Sequence, residues 1–131
     1  MKGFHDDIER QTIGNDDFRR VLYTGEHLQL VLMTLQPGEE IGAEVHEDRD
    51  QFFRFEEGKG EVDIDTNTYQ VEDGSGVIVP AGARHNVRNI GDAPLKLYTL
   101  YGPPEHVDAL VEATRAEAMA THEEWDGRTT E

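Results

Sequence analysis

GSGVIVPAGARHNVRN, residues 74–89, carries an apolar run into a polar one through a proline and, two residues on, a glycine. Val77, Ile78 and Val79 read as a strand that delivers the chain to Pro80. Gly82 permits a tight reversal, and His85 opens the next strand. Side chains alternate along a strand, so His85, Val87 and Asn89 share one face while Asn86 and Arg88 share the other. The fixed points are Gly74, Pro80, Gly82, His85 and Asn89. Such a turn puts one histidine at the start of a strand, facing whatever that strand encloses.

A second informative stretch lies upstream. AEVHEDRDQFFRFEEGKG, residues 43–60, holds Glu44, His46 and Gln51 ahead of an aromatic run that stops at Gly58. Alternation puts Gln51, Phe53 and Phe55 on one face and turns Phe52 and Arg54 away from it. Glu44 and His46, two apart in an extended segment, also share a face. Further short strands are expected around 18–25, 28–35, 61–65, 68–71, 76–80, 85–90 and 95–101, separated by turns such as Pro37-Gly38 and DGSG at 73–76. Many short strands with regular Gly/Pro punctuation predict an all-β sandwich or barrel, with its core over about 18–101. The last third changes period. Pro104 can open a helix, and Val107, Leu110, Val111 and Ala118 follow a helical stripe, predicting an amphipathic helix over about 104–121.

The 131 residues suit one domain, 1–131. With no cysteine, disulfides and thiolate ligands are excluded. The net charge of −16, from 28 acids and 12 bases, repels nucleic acid and anionic membranes, so neither is expected as a partner. No apolar run approaches the ~20 residues that cross a bilayer. The N-terminus lacks the apolar core of a signal peptide, and a cytoplasmic location is expected. Lys2, Lys59 and Lys96 are the only lysines. Abundant acid with scarce lysine fits a halophilic host, where the Debye length falls to ~3 Å at 1 M salt. It fits an ordinary acidic protein equally well.

The two stretches resemble the two motifs of the cupin superfamily. Residues 74–89 match the second at every defining position. The first keeps its Pro-Gly opening at Pro37-Gly38 and its closing Gly58. The likeness covers roughly 28–101 and is strongest to small single-domain members, loosely grouped with mannose-6-phosphate isomerases. It implies a jelly-roll barrel around one divalent metal, held by three histidines and a glutamate. This chain departs from that set. Glu44 stands at the first histidine, His46 at the second and Gln51 at the glutamate, while His85 is retained. The implied ligands are therefore Glu44, His46, Gln51 and His85, a credible set for Mn, Fe, Ni or Zn. A polar pocket without metal is the competing reading.

The resemblance also implies a small-molecule substrate and, through paired sheets, a homodimer. Phe52 on the outer face is a candidate for that contact, unless the C-terminal helix covers it. The expected chemistry is an isomerisation or tautomerisation of a carbohydrate-derived or oxo-acid compound. The metal would act as Lewis acid, and Glu44, where unbound, would be the catalytic base, its pKa raised by burial. A non-haem Fe(II) dioxygenase and a non-catalytic binding protein are the alternatives. Phe53, Phe55, Tyr98 and Leu100 are weaker candidates for the pocket wall, and Arg84 for a carboxylate clamp at its mouth. Asn89 is expected to satisfy backbone groups. His5, His27, His106 and His122 are expected in surface or structural roles.

Overall fold

The computed structural model describes residues 1–131. Ten strands form two antiparallel sheets, as the alternating pattern predicts. The larger contains β1 (Arg19–Thr24), β2 (Gln29–Leu35), β4 (Asp50–Glu57), β7 (Gly76–Val79), β9 (Leu95–Gly102) and β10 (Val111–Glu112), in the order β10-β1-β2-β9-β4-β7. The smaller contains β3 (Glu44–Val45), β5 (Lys59–Ile64), β6 (Asn67–Glu72) and β8 (Arg84–Asn89), in the order β3-β8-β5-β6. The two faces that carry the expected inward parity meet to form a jelly-roll barrel.

Register sorts the interior into rows. Phe53 pairs with Thr99, which pairs with Val31, which pairs with Val21. The next row joins Phe55, Leu97 and Met33. Across the barrel, Val87 pairs with Val62. These apolar residues are all buried and form one continuous core. Burying side chains of this size supplies roughly 1.5–3 kcal/mol each, the main force closing the barrel. At one end the rows turn polar. Gln51 pairs with Tyr101, which pairs with Gln29. In the other sheet Glu44 pairs with His85. The site is this polar end.

Two glycines are required by geometry. A Cβ on Gly58 would lie 2.6 Å from the Pro94 carbonyl oxygen, and its φ of +93° is left-handed besides. Gly82 turns at φ +89°, and its N–H donates to the His46 carbonyl, tying the two motif segments together.

The ends of the chain hold the departures. A helix not foreseen in the sequence, α1 (Ile8–Gly14), is capped by Asp7, whose side chain accepts from the Arg10 N–H. It packs on the outer face of the large sheet against β2, β4 and β9, and Leu32 there is fully buried. The helix expected over 104–121 is only α2 (Arg115–Ala120). Residues before it run extended along β1. The Val21 N–H donates to the Leu110 carbonyl and the Phe18 N–H to the Ala113 carbonyl. Ala109 sits at φ +63°, incompatible with a continuing helix. The unpaired edge of β1 offered hydrogen bonds that outweighed a helical apolar spacing. Val111, counted on that stripe, is exposed, whereas Ala118 is buried as expected. Thr114 caps α2 by accepting from the Glu117 N–H. This helix packs at β10, the sheet edge away from β4, so it leaves Phe52 uncovered.

Candidate metal centre

β3 and the turn after it bring Glu44 and His46 beneath the reversal that delivers His85. One ligand atom from each of Glu44, His46 and His85 lies within 4.8 Å of the others. The two imidazole rings are 5.3 Å apart, centre to centre. His46 Nε2 lies 3.0 Å from Glu44 Oε2, and its Nδ1 lies 3.4 Å from Glu105. His85 Nδ1 lies 3.2 Å from the Ala83 carbonyl, which fixes the ring and leaves Nε2 available as a ligand atom.

The electrostatics follow from the contacts. The hydrogen bond to Glu44 raises the pKa of His46 against the opposing effect of burial. Burial lowers that of His85. Burial also pushes Glu44 up, as expected from sequence. The hydrogen bond from His46 and the charges of His46, Arg19 and His85 outweigh it, so the pKa of Glu44 is lowered and the expected rise is corrected. Glu44 is therefore an anion at neutral pH.

Gln51 is 3% exposed. Its Nε2 donates to Thr99 Oγ1 at 3.0 Å, while its Oε1 is buried without a partner. A buried carbonyl left unpaired costs about 1–3 kcal/mol, a cost that a ligand there would relieve. Two imidazoles, one carboxylate and one orphaned amide oxygen fit a divalent transition metal.

The weaker candidates divide. Phe53 borders the site, its ring 6.3 Å from His85. Phe55 stacks on Phe53 one row deeper and belongs to the core. Tyr98 and Leu100 lie on the opposite face of β9 from Tyr101 and do not reach the interior; the Tyr98 ring packs 6.4 Å from Phe52. Arg84 is exposed and shares the outward parity of β8, away from His85. Asn89 satisfies backbone groups as expected, donating to the Leu35 and Ala93 carbonyls.

Four residues around the site escaped the sequence reading: Tyr101, Arg19, Glu112 and Glu123. Tyr101 is buried, its ring 6.0 Å from His46, and burial pushes its pKa up. Its hydroxyl lies 3.3 Å from His106 Nε2, and His106 Nδ1 lies 2.5 Å from Glu123. His106 thus has the structural role expected of it, but against the wall of the site. Arg19 is 7% exposed and pairs with Glu112 at 2.7 Å. Burial opposes its charge, yet Tyr101, Glu112 and Glu44 hold the guanidinium firmly protonated. Strand parity with Val21 was the available signal for Arg19; Glu112 and Glu123 carried none, because their neighbours read as helix.

The cupin domain family matches residues 31–101. The chain belongs to the cupin superfamily. It is similar to the protein YrkC of Bacillus subtilis (strain 168), 45% identical over 93% of this chain and 69% of that one. A crystal structure from Bacillus halodurans superposes with a TM-score of 0.90 at 46% identity, covering 92% of this chain and 96% of that one. A sugar phosphate isomerase from Silicibacter pomeroyi aligns with a TM-score of 0.58 at 23% identity, over 69% of this chain and 62% of that one, a likeness of fold alone. No helix is long and apolar enough to cross a membrane.

Proposed function

We propose that the protein is a metal-dependent enzyme of the isomerase or tautomerase type, acting on a carbohydrate-derived or oxo-acid small molecule. The observation that carries this reading is the cluster of Glu44, His46 and His85, joined by the unpartnered, buried Oε1 of Gln51, whose strand partner Tyr101 packs against His46. Those four residues would hold one divalent ion, and Mn, Fe, Ni or Zn suits them. When bound, the ion supplies Lewis acidity toward a carbonyl oxygen. The chain supplies the proton chemistry. Glu44 is ionised and, where it does not hold the ion, would take a proton from carbon and return it to the neighbouring atom. Phe53 and Tyr101 wall the site with apolar surface that excludes water. The fold of a sugar phosphate isomerase is compatible with this reading without carrying it.

The test has two parts. Elemental analysis of untagged protein should find about one transition metal per chain, lost in His46→Ala and His85→Ala. Nuclear magnetic resonance in heavy water should then show deuterium entering the carbon beside the carbonyl of an aldose, ketose or 2-oxo acid. A chain free of metal and inert to the whole panel would refute the reading.

Two histidines with one carboxylate also support a second reading, a non-haem Fe(II) dioxygenase. Oxygen uptake by iron-loaded protein with diketones and catechols separates the two. We also infer a homodimer in the cytoplasm. Half-exposed Phe52, Tyr98 and Leu100 and the exposed Ile78 lie together on the outer sheet face, a patch suited to a second copy. Light scattering at twice the chain mass checks it.

A further inference from the structure

A cavity of about 280 Å³ opens beside His46, between the turn leading into β4 and the C-terminal tail. His46 belongs both to it and to the metal centre: Nε2 faces Glu44, and Nδ1 faces Glu105 on the cavity wall. The cavity is thus an outer chamber to the candidate site. Its far wall is Trp125, held there by two hydrogen bonds. The Trp125 backbone N–H donates to the Glu105 carbonyl, and its indole Nε1 donates to the Arg128 carbonyl at 2.7 Å. The indole's polar edge is thereby satisfied within the tail, and its remaining surface is apolar.

The rest of the wall is charged and one-sided. Glu47, Asp48, Glu105 and Glu124 face one arginine, Arg49, already paired with Glu105 and Asp48, and one imidazole, His46, already held between Glu44 and Glu105. A carboxylate or phosphate entering here would meet four like charges less than a Debye length away, with no free cation to receive it. A hydroxyl-rich neutral molecule meets the opposite situation. Each carboxylate accepts hydrogen bonds from hydroxyl groups, and the indole covers a face of C–H bonds. Trp125 and Glu124 lie outside the segment that matches the cupin family.

We infer that this chamber recognises an uncharged polyhydroxylated ligand, a free sugar or sugar-derived polyol, and discriminates against its acid or phosphate. This rests on residues 44, 46, 51 and 85 forming the reactive centre, and it selects the carbohydrate-derived class over the oxo-acid class. Trp125 is the only tryptophan, so its fluorescence reports on the chamber directly.

The experiment titrates both metal-loaded and chelator-treated protein with D-glucose, D-gluconate and glucose 6-phosphate, following fluorescence and heat. Saturable binding of glucose is expected, at least about tenfold tighter than either anion, with and without metal. Trp125→Ala should weaken glucose about tenfold or more by calorimetry, with an unchanged circular dichroism spectrum. The double variant Asp48→Lys/Glu124→Lys removes two acceptors and should weaken glucose, and it should also lower the ratio of glucose to anion affinity; an unchanged ratio overturns the inference. Equal or tighter binding of gluconate or glucose 6-phosphate, or no saturable binding of glucose, overturns the inference. The two readings fail separately. A metal-free chain that still prefers glucose refutes the reactive centre alone, and a metal-loaded chain that prefers gluconate refutes the chamber alone.

Discussion

Two glutamines flank Tyr101 on one row of the large sheet, and they are treated oppositely. Gln29 and Gln51 both pair with Tyr101 across the ladder, and both are buried. Gln29 is saturated. Its Nε2 donates to Thr24 Oγ1 and the His106 carbonyl, and its Oε1 accepts from the N–H groups of Glu105 and His106. Gln51 makes one bond, to Thr99, and leaves its Oε1 empty-handed. The first is a clamp that fastens residues 105 and 106 to the barrel. The second leaves an acceptor open at a cost in stability, as the proposed metal site would require. The difference predicts that damage at Gln29 registers in folding and damage at Gln51 in ligand content.

The largest effect is expected for Gln29→Leu. It orphans two buried N–H groups and one carbonyl, costing about 3 kcal/mol or more. Urea unfolding should show a lowered midpoint, while metal content per folded chain stays unchanged. A loss below about 1 kcal/mol would remove the distinction between clamp and site. Tyr101→Phe comes next. It deletes the hydroxyl between His106 and the interior without opening a cavity, and about 1–2 kcal/mol should be lost in the same assay.

A smaller effect sharpens the clamp side. Burial raises the pKa of Glu123, but the hydrogen bonds from His106 and the Val107 N–H and the His106 charge outweigh it and hold the pKa below the ordinary 4.5. A carboxylate depressed on folding stabilises above its unfolded pKa, and the contribution fades as pH falls through the folded value. Stability should therefore drop with acid from near pH 4.5 downward, and Glu123→Gln should flatten that part of the profile. An unchanged slope in the variant would detach Glu123 from the clamp.

The division between motif strands and C-terminal segment also sets what could be read from the chain. Strand parity is a two-state choice, and punctuation by Pro80, Gly82 and Gly58 fixed it. Hence His85 and Asn89 face in, Gln51 and Phe53 share a wall, and Glu44 meets His46. Tyr98 failed for lack of such punctuation: in LKLYTLY every residue from Leu95 to Tyr101 is apolar or ambivalent except Lys96, so neither parity stands out. Lys96 is itself buried, donating to the Asn15 carbonyl under the tail of α1. Residues 105–112 were illegible for another reason. Their conformation is set by partners far away in sequence, chiefly Gln29 and the edge of β1, and no local pattern encodes those. The clamp of Glu123, His106 and Tyr101 depends on that segment and was hidden with it.

The smallest expected change in stability is the most informative. Gln51→Leu is close to isosteric, removes the orphaned Oε1 and sacrifices one bond to Thr99. Losing that bond costs about 1 kcal/mol, and relieving the unpaired carbonyl returns a similar amount. The unfolding midpoint should therefore move by less than about 1 kcal/mol in either direction. Metal content measured on the same sample should fall, with affinity down by roughly tenfold or more as one donor leaves the set. A variant destabilised as severely as Gln29→Leu would mean that Gln51 is a second clamp whose acceptor is satisfied in solution. A variant that keeps its full complement of metal would confine the ligands to Glu44, His46 and His85 and leave the empty acceptor without a purpose there.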